Sequence, residues 1–397
     1  MKFSSLVNRV AGHGADAWRT HYAAVAARDR GEDVIILSVG DPDLATPQTV
    51  VERAVERLRA GDSRYTPARG RLALREAIAA MHASRCGQAV DADHVIVLSG
   101  AQNALFVASL CLAGPGDEVL AFDPMYPTYP ATIEVSGARM VRVRQPAARG
   151  FRPDLDALSA AITPRTRALF FASPGNPSGV ILTASELAGI GEIARRHELW
   201  IVADEVYAGL APEGRVPSLA ASLPDQVVTI GSLSKTHSMP GWRAGWMVAP
   251  ASMVLHAEDV AMSMLFGLPG FIQEAAVTAL GIAPQSEQRV REYCASRARL
   301  MAQELQGIPG IRIHAPQAGM FMLVDVRDTG LSSDQFVTEL YRQQRISAMD
   351  GRAFGEETQG FVRLCFATDE SLIIEACRRL RQFCASCQAA ASFSTPR

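Results

Sequence analysis

The stretch SLSKTHSMPGWRAGW, residues 232–246, sets one lysine and one arginine among hydroxylated, small and aromatic residues, directly after the apolar run VVTI. A solvated surface lysine needs no such enclosure. Lys235 is either an incidental cation in a packed turn or an amine with chemistry to do. Other capable residues follow apolar runs in the same way. Gly100, Ala101 and Gln102 in SGAQNAL follow HVIVL, where backbone N–H groups at a helix start could cradle a phosphate. An ordinary strand-to-helix turn would read the same. Tyr126 in YPTY follows DEVLAFDPM and offers an aromatic face, or a core tyrosine in a proline-bounded turn. Asn176 in SPGNPSG follows RALFFA, as a fixed amide or a plain turn asparagine. Asp204 ends LWIVAD, where a buried carboxylate needs a partner unless it only caps the next helix; Glu205 and Tyr207 come directly after it. Arg243, before AGWMVA, has the fork that suits a phosphate, and Ser232 could add a hydroxyl.

Singly, each has a structural explanation. Together they supply phosphate donors, an aromatic face, an amide, an acid, a phenol and a lysine. A planar phosphorylated pyridine aldehyde, pyridoxal phosphate, uses all of them: a lysine for the aldehyde, an acid for the ring nitrogen and donors for the phenolate oxygen.

The elements that position these residues read as α/β. Short β-rich runs (94–98, 117–122, 167–172, 199–204, 227–230, 244–249) alternate with helical patterns, which predicts a mainly parallel sheet covered by helices on both faces. Ligands in such sheets bind beyond the carboxyl ends of the strands. Thr183 and Glu186 read as a capping box opening a helix. After about residue 290, helical patterns near 284–306, 332–344 and 370–386 surround the short strands IRI, MFMLVDV and FVRLCFA, which predicts a smaller α/β domain. The helical pattern near 14–30 and DVIILSV join it from the other chain end. The expected division is 1–39 as the joining N-terminal segment, 40–290 as the large domain and 291–397 as the small C-terminal domain. The tail AAASFSTPR reads as disordered.

Composition narrows the classes. The 397 residues carry a net charge of −2, which gives no electrostatic case for nucleic acid or an anionic membrane. No apolar run is long enough to span a bilayer, and the start lacks a secretion signal, so a cytoplasmic protein is expected. Seven scattered cysteines argue against a disulfide framework, and Cys384 with Cys387 reads as two cysteines on one helix rather than a metal or redox pair. No metal is expected.

From LSVGDPD (37–43) through YTPARG (65–70), GAQNAL, PMYPTY, SPGNPSG, ADEVY and SLSKTHSMPGWRAGW to FVRLCFA (361–367), the chain resembles the aspartate-aminotransferase superfamily of pyridoxal-phosphate enzymes. The resemblance implies fold type I, with a seven-stranded-type sheet in the large domain. It implies Lys235 as the Schiff-base lysine and Asp204 at the pyridine nitrogen. Asn176 and Tyr207 would hold the phenolate oxygen, and Tyr126 would stack on the ring. Gly100, Ala101, Gln102, Ser232 and Arg243 would hold the phosphate, with Tyr65 reaching it across the subunit boundary of a homodimer. Arg363 would bind the substrate α-carboxylate beside Asn176 and the backbone of Gly40. The implied reaction is ping-pong transamination of an L-amino acid with a 2-oxo acid. Two positions depart from the pattern: GAQ replaces a hydroxyl-bearing phosphate loop, so Gln102 is expected to offer only its backbone, and Asp350 stands where many relatives carry proline.

AGHGADAWRTHYAA, near the chain start, and MLFGLPGFIQEAA (264–276) further resemble arginine–pyruvate transaminases, which implies a basic donor with pyruvate as acceptor. Aromatic, aliphatic or acidic donors, or a pyridoxal-phosphate C–S lyase, remain alternatives, because the cofactor motifs grip what all amino acids share. A transcription regulator built on the same fold is disfavoured: fewer than forty residues precede LSVGDPD, and the chain as a whole carries no basic excess.

Overall fold

The structure, a computed structural model, describes residues 2–10 and 18–393. Its first half runs α1 (Ser5–Val10), α2 (Arg19–Asp29), β1 (Ile35–Ile36), α3 (Gln48–Arg59), α4 (Leu72–Cys86), β2 (Val95–Ser99), α5 (Gly100–Leu112), β3 (Glu118–Asp123), α6 (Tyr129–Glu134), β4 (Arg139–Arg144), α7 (Leu155–Ala161), β5 (Thr166–Ala172) and α8 (Ala184–Arg196). Then come β6 (Trp200–Asp204), β7 (Val227–Ser232), β8 (Ala244–Val248), α9 (Ala251–Met264), α10 (Gly270–Gly281), α11 (Ala283–Leu305), β9 (Arg312–His314), β10 (Phe321–Asp325), α12 (Ser333–Gln344), β11 (Ile346–Ser347), β12 (Met349–Asp350), β13 (Phe361–Cys365) and α13 (Glu370–Phe393).

The apolar runs become a seven-stranded sheet in the order β2-β8-β7-β6-β5-β3-β4. Only β8 is antiparallel to its neighbours. Side chains alternate between two apolar layers, as the period of two requires. Ala168, Phe170 and Val202 pack with Leu105 and Val254 of the helices on one face, while Leu169, Phe171 and Ile201 pack with Leu187 and Ile190 on the other. The Thr183–Glu186 capping box opens α8 as expected. Strand β4, RMVRVR, was not singled out in the sequence, because its alternating arginines belong to an exposed sheet edge rather than to a buried run.

A second, antiparallel sheet has the order β12-β13-β10-β9, and β1 pairs in parallel with β11. Ile35 and Leu37 therefore enter the same core as Phe336, Val362 and Phe383, which ties the N-terminal segment to the C-terminal elements. Helix α11 runs unbroken through residue 290. The expected N-terminal helix is α2, and its anticipated start at 14–17 lies outside the described residues. The tail corrects an expectation: α13 carries it as helix through Phe393, since AAASF continues an alanine-rich run that favours helix, and 394–397 lie outside the described residues. Cys384 and Cys387 both lie on α13.

Candidate active site

The carboxyl ends of the parallel strands β2, β3, β5, β6 and β7 share one edge of the large sheet. At that edge lies a cavity of about 180 Å³. Gly40, Ala101, Gln102, Tyr126, Asn176, Asp204, Tyr207, Lys235, Arg243 and Arg363 all line it. Residues spread over more than three hundred positions thus converge on one space. Arg243 arrives there because β8 runs backwards: Ser99 pairs with Ala244 and Ser232 with Gly245, so the start of β8 lies beside the ends of β2 and β7.

Lys235 donates from Nζ to the Gly40 carbonyl at 2.6 Å. Burial lowers its pKa from the usual lysine value, which enriches the neutral amine. Asp204 is 6% exposed, accepts from Tyr129 Oη at 3.1 Å and from the Val206 backbone N–H at 3.2 Å, and has its pKa pushed by burial to about 6. Glu205, the next residue, instead accepts from Ser218 Oγ at 2.7 Å and is not among the cavity residues. Burial likewise raises the phenols of Tyr126 and Tyr207.

Arg363 is 3% exposed, and among the described residues its hydrogen bonds go to neutral oxygens. Its guanidinium donates to Asn176 Oδ1 at 2.9 Å and to the Ser38 carbonyl at 2.6 Å, and it lies 3.8 Å from the centroid of Phe321 and 4.7 Å from that of Phe354. Its Nε has no partner, and burial brings its pKa down to about 10. A buried cation with an unused donor is a place for an anion.

The other cationic corner is built on glycine. Gly100 opens α5 at φ +79°, and a Cβ there would lie 2.4 Å from Arg243 Nη2. Gly245 lets β8 approach the same turn, where a Cβ would lie 2.6 Å from the Ala101 nitrogen. Arg243 itself is held at φ +55° and donates to the carbonyls of Pro240 at 2.8 Å and Ser99 at 3.3 Å. The Gln102 side chain turns to Thr132 and Thr128, at 2.8 and 2.7 Å, which leaves its backbone for the cavity.

Three of the expected residues do not reach the cavity wall. Gly100 lies behind Ala101; Ser232 is buried with its Oγ accepting from the Ser234 N–H at 3.3 Å; Tyr65 is 89% exposed, its ring 4.8 Å from that of Phe266. Other participants were not read from sequence. Tyr129 was within the quoted YPTY, but nothing local aims its hydroxyl at Asp204. Phe354 lies in a 3-10 turn capped by Asp350, which accepts from the Arg352 N–H at 3.1 Å and pairs with the Arg352 guanidinium at 2.6 Å. Asp350, unexplained by sequence, thus shapes the turn that carries Phe354. His237 and Trp246 are buried, and Trp242 donates to Thr46 Oγ1 at 3.1 Å, so all three pack.

A family profile described as aminotransferase class I and II matches residues 32–380. The chain is 44% identical to an arginine–pyruvate transaminase of Pseudomonas aeruginosa over 96% of this chain and 97% of that one. It is 32% identical to an aspartate aminotransferase of Geobacillus stearothermophilus over 89% and 92%. Among solved structures, an aspartate aminotransferase of Thermus thermophilus superposes with a TM-score of 0.91 at 28% identity, covering 96% of this chain and 99% of that one. An aspartate aminotransferase of Thermotoga maritima superposes at 0.90 with 30% identity and the same coverage. Profile, sequence and fold agree over nearly the whole chain: it belongs to the class I and II aminotransferases.

Proposed function

We propose that this aminotransferase moves the amino group of arginine, or another basic amino acid, to pyruvate, with pyridoxal phosphate as cofactor. The observation that carries the donor assignment is the 44% identity, over nearly the full length of both chains, to an arginine–pyruvate transaminase.

The donor set suits the cofactor: the glycine-built turn beside Arg243 leaves room for a phosphate, and Asp204 is a buried acid with no cationic hydrogen-bond partner among the described residues. Ala101, Gln102 and Arg243 would hold the phosphate, with Gly100 making the space and Ser232 fixing the loop behind. Asp204 would hold the ring nitrogen, Asn176 and Tyr207 the ring oxygen, and Tyr126 the ring face. When bound, the cofactor supplies an aldehyde for the amino group and a ring that takes up the electron pair left at Cα.

The chain's own residues do the rest. Arg363 grips the substrate carboxylate, steadied by Asn176 and by the two phenyl rings, so that Cα is held in one orientation. Lys235, whose charged form burial disfavours, takes the Cα proton and returns it as general base and acid. Asp204 keeps a negative charge where positive charge on the ring must persist.

The expected division into a cofactor-holding part (40–290) and a smaller part built from both ends belongs to the same reading, supported by the β1–β11 pairing and by an apolar core drawn mostly from the two chain ends. So does a homodimer. Tyr65, Phe266, Met262 and Met264 are exposed, and Met264 Sδ accepts from Asn103 of α5, so this apolar surface abuts the cavity wall. A cytoplasmic location is supported by seven free thiols, four of them buried.

A panel of amino donors with pyruvate tests the donor. L-Arginine should give the highest kcat/KM, and product formation should require the 2-oxo acid. Equal rates with aspartate, phenylalanine and arginine would overturn the donor assignment, and turnover without a 2-oxo acid would point to lyase chemistry.

A further inference from the structure

A basic donor brings a further cation into a cavity already lined by Lys235, Arg243 and Arg363. A guanidinium needs a carboxylate or an aromatic face there. Among the described residues, the only carboxylate on the wall is Asp204, which is buried and engaged by Tyr129 and the Val206 N–H. The aromatic wall is Trp18, Tyr126, Tyr207 and Phe321. Phe321 is covered by the Arg363 guanidinium at 3.8 Å, and Tyr126 and Tyr207 are taken by the cofactor in the reading above. Trp18 is the remaining face.

Its position relative to the carboxylate grip follows from a short chain of contacts. Trp18 packs edge-on against His21, one helical turn later, with ring centroids 5.4 Å apart. His21 Nδ1 lies 2.9 Å from Ser38 Oγ, and the Ser38 carbonyl accepts from Arg363 at 2.6 Å. The indole is thus fixed, through His21 and Ser38, to the backbone that positions Arg363. A donor held at Arg363 by its carboxylate has Trp18 within the same cavity for its far end. His21, in contact with the indole, has its pKa lowered by burial and by Arg28 and Arg363, which disfavours a further positive charge there.

We propose that Trp18 is the residue that selects a cationic side chain, by offering its ring face to the guanidinium or ammonium group of the donor. The proposal rests on the basic-donor reading above. Indole is the best of the side-chain rings for this contact, and the contact strengthens away from water. No ion pair is needed, which suits a wall whose acid is already in use.

The test compares L-arginine with L-citrulline, which has nearly the same shape but a neutral end, on the holoenzymes of wild type, Trp18→Leu and Trp18→Phe. The wild type should favour arginine in kcat/KM. Trp18→Leu should cut the arginine-to-citrulline ratio about tenfold, and Trp18→Phe should fall between, since a phenyl face attracts a cation more weakly. Calorimetric binding of 5-guanidinopentanoate, which lacks the reacting amine, should weaken in the same order. An unchanged ratio in Trp18→Leu, with arginine still preferred, overturns the role of Trp18 while leaving the donor assignment intact. An equal loss on both donors also overturns it, since the ring would then serve packing alone. The same holds if Asp41→Asn, beside Gly40, collapses the ratio and Trp18→Leu does not. No arginine preference in the wild type overturns both readings.

Discussion

Replacing Asp204 by asparagine should change how the stability of the cofactor-free protein depends on pH. Burial raises the pKa of this carboxyl from 3.8 to about 6, although the bonds from the Val206 N–H and Tyr129 Oη favour its charged form. Unfolded, the group loses its proton near 3.8; folded, near 6. Between those values the folded state binds more protons than the unfolded one, so stability falls as pH rises through the window and stays lower above it. A shift of about two pKa units amounts to roughly 3 kcal/mol in full, of which about half falls between about pH 5 and about pH 8. Asparagine does not titrate. The variant's stability relative to wild type should therefore rise by roughly 1.5 kcal/mol across that range, whatever constant cost the amide carries. Urea unfolding of the two apoproteins, at one protein concentration and several pH values, measures it. A gap that stays constant with pH, or moves the other way, would refute the reasoning. Adding pyridoxal phosphate at the alkaline end should lower the variant's stability relative to wild type, because a protonated ring nitrogen stabilises the carboxylate and not the amide.

Gly100→Ala should weaken cofactor binding more than it weakens the fold. The left-handed backbone costs an alanine about 1 kcal/mol, and the new methyl must displace the Arg243 guanidinium it would approach to 2.4 Å. The Kd for pyridoxal phosphate, read by absorbance titration of the apoenzyme, should rise about tenfold or more; an unchanged Kd would remove Arg243 from the phosphate site. Light scattering of the holoenzyme should give twice the 42.6 kDa chain mass. A fully active monomer would show that the exposed Tyr65–Phe266 surface serves no partner.

Much of the site was legible because strands in an α/β sheet present their carboxyl ends to ligands, and apolar runs mark where those ends are. Lys235, Asp204, Asn176, Tyr126 and Tyr207 could each be found that way, and the structure brings all five to one cavity. What sequence could not supply was the pairing of distant segments. The reversal of β8 carries Arg243 to the shared edge, and β1 joining β11 brings the Gly40 backbone to Lys235. Phe321 and Phe354 close on Arg363 from two separate chain stretches, and Tyr129 reaches Asp204 across seventy-five residues. Residue types and local spacing determined the chemistry, since an amine, an acid and a phosphate turn are recognisable where they stand. Tertiary packing biased the charge states and decided the neighbours: desolvation of Asp204, Lys235 and Arg363 exists only once the surrounding layers have excluded water from them.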